Sequence, residues 1–362
     1  LIVDLALAFL TALLLVMIAM PSLIKVAKLK HLVDEPGDQR KLHNRSIPTI
    51  GGIMIFAGTL FAYCLMFPSK DQWMMGNNYD PLSALNEFKY LVASMFVLFF
   101  LGLKDDIIGV APNKKLYVHF LVGIILVYMA DIRITSFWGL FSIGELPYWM
   151  SLIVSMFTYI VIVNSINLID GVDGLAGGIG VIAASTFGVW FYSTGDLPLS
   201  LLAFSLAGSL IGFLFFNFQP AKIFMGDSGS LILGMVLYVL AMKLIEFPPN
   251  RMYGFAANVS KPVLAMAILC YPLMDTLRAF TVRISKGISP FKADKNHIHH
   301  KLLSMGFTHK KVCFILYGFT LVIIGITFVM PPNTPNISFT VVFLTTFLSA
   351  NGLFWWGKGV KK

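Results

Sequence analysis

Long apolar runs dominate the chain, separated by short clusters of Gly, Pro, Asn and charged residues. The runs fall at 3–24, 49–67, 88–103, 116–130, 148–168, 175–194, 198–216, 230–246, 261–281, 312–330 and 337–356. At 1.5 Å of rise per residue, a helix of about 20 such residues crosses a hydrocarbon core about 30 Å thick. The pattern predicts an all-α polytopic membrane protein with about ten to eleven transmembrane helices; the division between the sixth and seventh runs rests only on Gly195 to Pro198. No internal repeat, low-complexity tract or linker interrupts the pattern, so residues 1–362 read as one domain. Between Asp131 and Pro147, two short alternating segments flank Trp138 and Gly139 and predict a short external β-hairpin.

Composition narrows the class. Hydrophobic residues make up 57% of the 362 and charged residues only 12%, against about 25% charged in soluble globular proteins, which excludes a soluble domain. Cys64, Cys270 and Cys313 lie inside apolar runs without CxxC spacing, so neither a disulfide framework nor a zinc site is indicated. The first run has no basic residue before it and Lys25, Lys28 and Lys30 after it, the reverse of a cleavable signal, and reads as a retained span.

Net charge is +9, from 27 Lys+Arg against 18 Asp+Glu. When connections are assigned alternately to two sides, 25–48, 104–115, 169–174, 217–229, 282–311 and the tail from Gly357, with Arg278, hold 21 of the 27 basic residues. The opposite side holds six. The positive-inside rule makes the first set cytoplasmic, and a nucleic-acid partner is not needed to account for the charge.

The same connections hold the unusual polar clusters. Asp105 and Asp106 are adjacent carboxylates at the end of an apolar run; they predict a divalent metal or lysine partner, or else a solvated helix end beside Lys104, Lys114 and Lys115. Asn167-Leu-Ile-Asp170-Gly-Val-Asp173-Gly174 places two carboxylates among glycines that let backbone approach a ligand, although a polar interhelical turn fits too. An EF-hand is excluded because Ala176 to Ile182 is apolar. In Phe224-Met-Gly-Asp227-Ser-Gly-Ser230, Asp227 sits before a helix start, where it could ligate Mg²⁺ near a phosphate or act as an N-cap. His297, His299 and His300 share a loop with Arg283, Lys286, Lys292 and Lys295, which favours phosphate contacts over zinc. His31, His119 and His309 are scattered and read as interfacial or satisfied histidines.

Taken in order, Pro48-Thr-Ile-Gly-Gly52, Asp105-Asp106, Asn164-x-x-Asn167-x-x-Asp170-Gly-x-Asp173-Gly, Phe224-Met-Gly-Asp227 and His297-Ile-His-His300 resemble the polyprenyl-phosphate N-acetylhexosamine-1-phosphate transferases over about residues 25–312. The histidine motif resembles the WecA/TagO-like branch rather than the MraY branch. The resemblance implies transfer of HexNAc-1-phosphate, foremost GlcNAc-1-phosphate, from a UDP-HexNAc to a polyprenyl phosphate at the cytoplasmic face of the plasma membrane, with release of UMP. It also implies Mg²⁺, with Mn²⁺ as the alternative, held by Asp227 with Asp105 and Asp106 nearby. Asp105, Asp106, His297, His299 and His300 would form the catalytic group. Asn167, Asp170, Asp173, Asn217, Phe224 and Arg283 would bind the nucleotide sugar. His43, Arg45 and Lys115 are phosphate-binding candidates, Lys115 because Gly109 stands where some relatives carry a lysine after the Asp pair. A homodimer is implied by resemblance alone. An MraY-like donor is the nearest alternative, and an ion-coupled transporter is the rival from another class; the latter predicts mid-span acids, of which Asp275 near Arg278 is the clear candidate.

Overall fold

All eleven apolar runs fold principally as helix in a computed structural model that describes residues 1–34, 46–68, 81–287 and 297–359. The chain begins with α1 (Ile2–Leu29), a pair of two-residue strands β1 (Val33–Asp34) and β2 (Ile47–Pro48), then α2 (Gly52–Leu65), α3 (Pro81–Ile108) and α4 (Pro112–Gly123). It continues through α5 (Tyr148–Leu168), α6 (Leu175–Ser193), α7 (Leu197–Asn217) and α8 (Gly226–Ile245). The last part comprises α9 (Lys261–Ile268), α10 (Cys270–Ser285), α11 (Ile298–Ser304), α12 (His309–Val329) and α13 (Pro335–Gly359). Among the described residues, six helices are each long and apolar enough to cross a membrane, and a seventh span forms if α9 and α10 count as one.

Helix α8 is the hub. Its sequence is apolar all round from Leu231 to Met242, and those residues are buried against α3 and α5, with α2 also in contact. Glycine makes the closest crossings: a β-carbon on Gly52 would lie 2.0 Å from the Gly229 nitrogen, and one on Gly102 would lie 2.4 Å from the Ser228 nitrogen. Helices α2 and α3 therefore approach the start of α8 backbone to backbone. A second layer is formed by α1 on α7 and by α7 on α6.

Two expectations change. The run 261–281 is two helices bent by 75°; Pro272 has no N–H to donate to the carbonyl four residues back, and the helix breaks at Leu269. The run 116–130 ends in a π-helical stretch, Ile124–Met129. The external hairpin is short: one isolated bridge joins Ser136 and Glu145, Leu146 N donates to the Thr135 carbonyl at 2.8 Å and Phe137 N to the Gly144 carbonyl at 3.1 Å, and the preceding amides turn to side chains. Thr135 N donates to Glu246 Oε1 at 2.8 Å, and Ile134 N donates to Ser155 Oγ at 2.8 Å.

Candidate active site

The helix ends expected on the basic side meet. Phe224 N donates to the Pro48 carbonyl at 2.7 Å, Gly51 N to the Phe224 carbonyl at 2.9 Å and Gly52 N to the Met225 carbonyl at 2.8 Å, so the Pro48–Gly52 turn is laced to the loop that starts α8. Gly226 takes a left-handed φ of 69°, which turns the chain into the helix.

Asp105 and Asp106 serve different partners. Asp106 accepts from the backbone N–H of Asp227 at 2.7 Å and of Ser228 at 3.1 Å, one on each oxygen, and so caps α8 from another helix. Burial pushes its carboxyl up to about 6. Asp105 accepts from Val110 N and from Lys115 Nζ, both at 2.7 Å. The same Lys115 Nζ lies 2.7 Å from Asp227 Oδ2. Burial alone would lower the Lys115 ammonium, but Asp227 and Asp105 outweigh it and its pKa is raised. On the other side of Asp227, Asn167 Nδ2 donates to Oδ1 at 2.9 Å and reaches Ser230 Oγ at 2.8 Å.

Two carboxylates from separate helices therefore converge on one cation position, occupied by the lysine ammonium. Among the described residues no three His, Cys, Asp or Glu side chains are grouped to hold a metal unaided. Such a donor set fits a hard ion that takes one or two carboxylates and completes its shell with water and substrate phosphate, the habit of Mg²⁺, and does not fit a zinc cage.

The Asp170–Gly174 loop joins this centre to the histidines. Asp170 accepts from the Gly226 amide, and burial pushes its carboxyl well above the usual range, with Asp227 and Asp106 adding to the effect. A β-carbon on Gly171 would lie 3.3 Å from His299 Nε2. His299 is buried, shares a hydrogen bond with the Tyr271 hydroxyl at 3.2 Å, and is pulled down to about 3, first by burial. It is therefore neutral; its ring lies parallel to that of His297 with centroids 5.5 Å apart and meets His300 at a tilt, with centroids 4.4 Å apart. His297 Nδ1 lies 2.8 Å from Asp275 Oδ2, and Asp275 Oδ1 accepts from Ile298 N at 2.7 Å.

Other expected residues take scaffold positions. Asn217 is buried with its amide committed: Oδ1 accepts from Gly174 N at 2.8 Å and Nδ2 donates to the Ile223 carbonyl at 2.9 Å. Arg283 is buried, its guanidinium 5.8 Å from the Phe280 ring centre. Phe224 is half-buried beside the docked turn. Asn164 spends its amide on the Ile160 carbonyl of its own helix. His43 and Arg45 lie outside the described residues. Sequence reasoning passed over Tyr271 and His309, the latter 3.5 Å from Asp173, and gave Asp275 no partner but Arg278. Their signal was weak, since each is a single polar residue in or beside an apolar run.

Fold and site together define a polytopic helical membrane protein that gathers carboxylates, a lysine and histidines at the ends of its helices. Residues 88–245 match the model of glycosyl transferase family 4. The chain is 30% identical to the undecaprenyl-phosphate alpha-N-acetylglucosaminyl 1-phosphate transferase of Yersinia pestis, over 90% of this chain and 84% of the relative. It is also 30% identical to the probable undecaprenyl-phosphate N-acetylglucosaminyl 1-phosphate transferase of Bacillus subtilis (strain 168), over 94% and 89%. Identity to the Escherichia coli (strain K12) undecaprenyl-phosphate alpha-N-acetylglucosaminyl 1-phosphate transferase is 29%, over 89% and 83%. The chain belongs to this family, the polyprenyl-phosphate N-acetylhexosamine-1-phosphate transferases, in the branch that includes these relatives.

Proposed function

We propose that the protein transfers GlcNAc-1-phosphate from UDP-GlcNAc to undecaprenyl phosphate, yielding undecaprenyl-diphospho-GlcNAc and UMP, on the cytoplasmic side of the plasma membrane. A phosphate oxygen of the lipid attacks the β-phosphorus, the bond from that phosphorus to the bridging oxygen breaks, and UMP leaves with the oxygen. Such a displacement needs alignment and charge neutralisation far more than covalent help. A lipid phosphate monoester is mostly ionised at pH 7, its second pKa being about 6, so a dedicated base is dispensable.

The observation that carries the reading is the Lys115 ammonium at 2.7 Å from both Asp105 and Asp227. Asp105 and Asp227 would hold Mg²⁺, which when bound neutralises the diphosphate. Asp106 keeps the start of α8, and with it Asp227, in place. Lys115 has the reach to hand its carboxylates to the metal and turn to a phosphate oxygen. Asn167 orients Asp227. Asp170 and Asp173 border the nucleotide sugar, and His297, His299 and His300 face its diphosphate. The charge pattern supports a cytoplasmic site, because these helix ends lie on the side that holds 21 of 27 basic residues. A transporter reading gains nothing from Asp275, which is fully buried and engaged by His297 and Ile298.

The test is UMP release by detergent-purified protein given undecaprenyl phosphate with UDP-GlcNAc, UDP-GalNAc or UDP-MurNAc-pentapeptide, each with Mg²⁺ or EDTA. Lipid-dependent release from UDP-GlcNAc, abolished by EDTA and lowered about 10²-fold or more by Asp227→Asn, is expected. Release from the pentapeptide donor alone would move the protein to the MraY reaction. No release from any donor by folded protein would overturn the proposal.

A further inference from the structure

One face of α12 is devoted to the loop that carries Asp170 and Asp173. His309, Cys313 and Tyr317 recur at four-residue spacing and so stand in line along the helix. All three reach the same two residues. The Asp173 amide donates to His309 Nδ1 at 3.4 Å, and that nitrogen lies 3.5 Å from Asp173 Oδ2. The Cys313 thiol donates to the Asp173 carbonyl at 3.2 Å, and the Tyr317 hydroxyl donates to the Gly174 carbonyl at 2.5 Å.

The opposite wall comes from the end of α7 and the loop after it. Gly174 N donates to Asn217 Oδ1 at 2.8 Å and Ala221 N to Asp173 Oδ2 at 3.4 Å. A β-carbon on Gly178 would lie 1.9 Å from the Tyr317 oxygen, so the tyrosine reaches the loop across bare backbone. An interhelical turn on a protein surface ordinarily leaves its carbonyls to water. Here two successive carbonyls are taken by side chains of one helix. Only Met305 to Thr308 separate α12 from α11, whose first residues are Ile298 and His299. The α11–α12 hairpin thus presents the histidines at one end and grips the Asp173 turn at the other.

We propose that Tyr317 and Cys313, together with His309, are positioning residues that set the Asp173 turn at its working distance from the histidine cluster, and thereby govern binding of the nucleotide sugar. The assignment rests on the transferase reading above. It is specific to one substrate, because the gripped residues border the nucleotide sugar while the carboxylates on Lys115 are held independently by α3 and α8.

Tyr317→Phe removes one hydroxyl and keeps the ring. Steady-state UMP release should show KM for UDP-GlcNAc raised about fivefold, the equilibrium weight of one neutral hydrogen bond, with KM for undecaprenyl phosphate and kcat within about twofold of the parent. Cys313→Ala should raise the same KM, and Cys313→Ser, which keeps a donor at that place, should restore it. A lower Tm with both KM values unchanged, or an equal rise in both, would assign the stripe to packing alone and overturn the proposal. A parent protein that releases no UMP from any UDP-sugar would remove the transferase reading and this inference with it; a normally active parent beside a Tyr317→Phe enzyme of unchanged KM would remove only the inference.

Discussion

Asp105 and Asp106 are neighbours in sequence with separate tasks, because successive residues on a helix point about 100° apart. Asp105 turns to Lys115, and Asp106 turns to the first amides of α8. The second task has a pH signature. Burial raises Asp106 to about 6, above the ordinary value of about 3.9 that it has in an unfolded chain. Its contribution to stability is therefore fully present below about pH 4 and is lost as pH rises through about 6. Activity should have the opposite sign, since only the ionised carboxylate accepts from both amides. We expect kcat/KM to fall as pH drops below about 6 with no matching fall in Tm over that window. Asp106→Asn should have lower activity and lack this acid limb; an unchanged limb would assign it to another group.

Among the elements, contact between helix backbones is what aims the side chains of the candidate site. Gly102 lets α3 reach Ser228, one residue beyond Asp227, so this close crossing and the metal-binding candidate share a helical turn. Gly102→Ala should cost about 1–3 kcal/mol of stability, as overpacking commonly does, and should cut turnover further because the Asp227 carboxylate moves with its backbone. Gly318→Ala on α12 is the control, since a β-carbon there meets nothing within 4 Å. Thermal unfolding and UMP release of the two variants decide the point, and equal behaviour would dissociate the crossing from the site. Helix content was legible because apolar runs leave the backbone no partner but itself in a bilayer. The break at Leu269 was less so: a proline can sit inside a continuing helix, as Pro21 does in α1, or stand at a break, as Pro272 does in α10.

For the whole molecule, helix alternation together with charge gives an expected sidedness that labelling can check. The Ser142 turn lies on the side expected to be external, and Ser304 lies at the end of α11 on the side of the site; both are exposed. In a Cys64→Ser background, a membrane-impermeant maleimide should label Ser142→Cys in intact cells and Ser304→Cys only in inverted vesicles. The reverse pattern would put the site outside. Sequence alone was enough for the helical class, the apolar runs that become helix and the set of polar clusters, because hydropathy acts segment by segment and needs no partner. Which of those clusters touch depends on how the helices pack. Lys115 joins carboxylates on α3 and α8, Asp275 holds His297 from 22 positions away, and Tyr317 seizes a carbonyl 143 positions away. Those pairings depend on where helices cross and which backbones lack β-carbons, and no local pattern records that geometry.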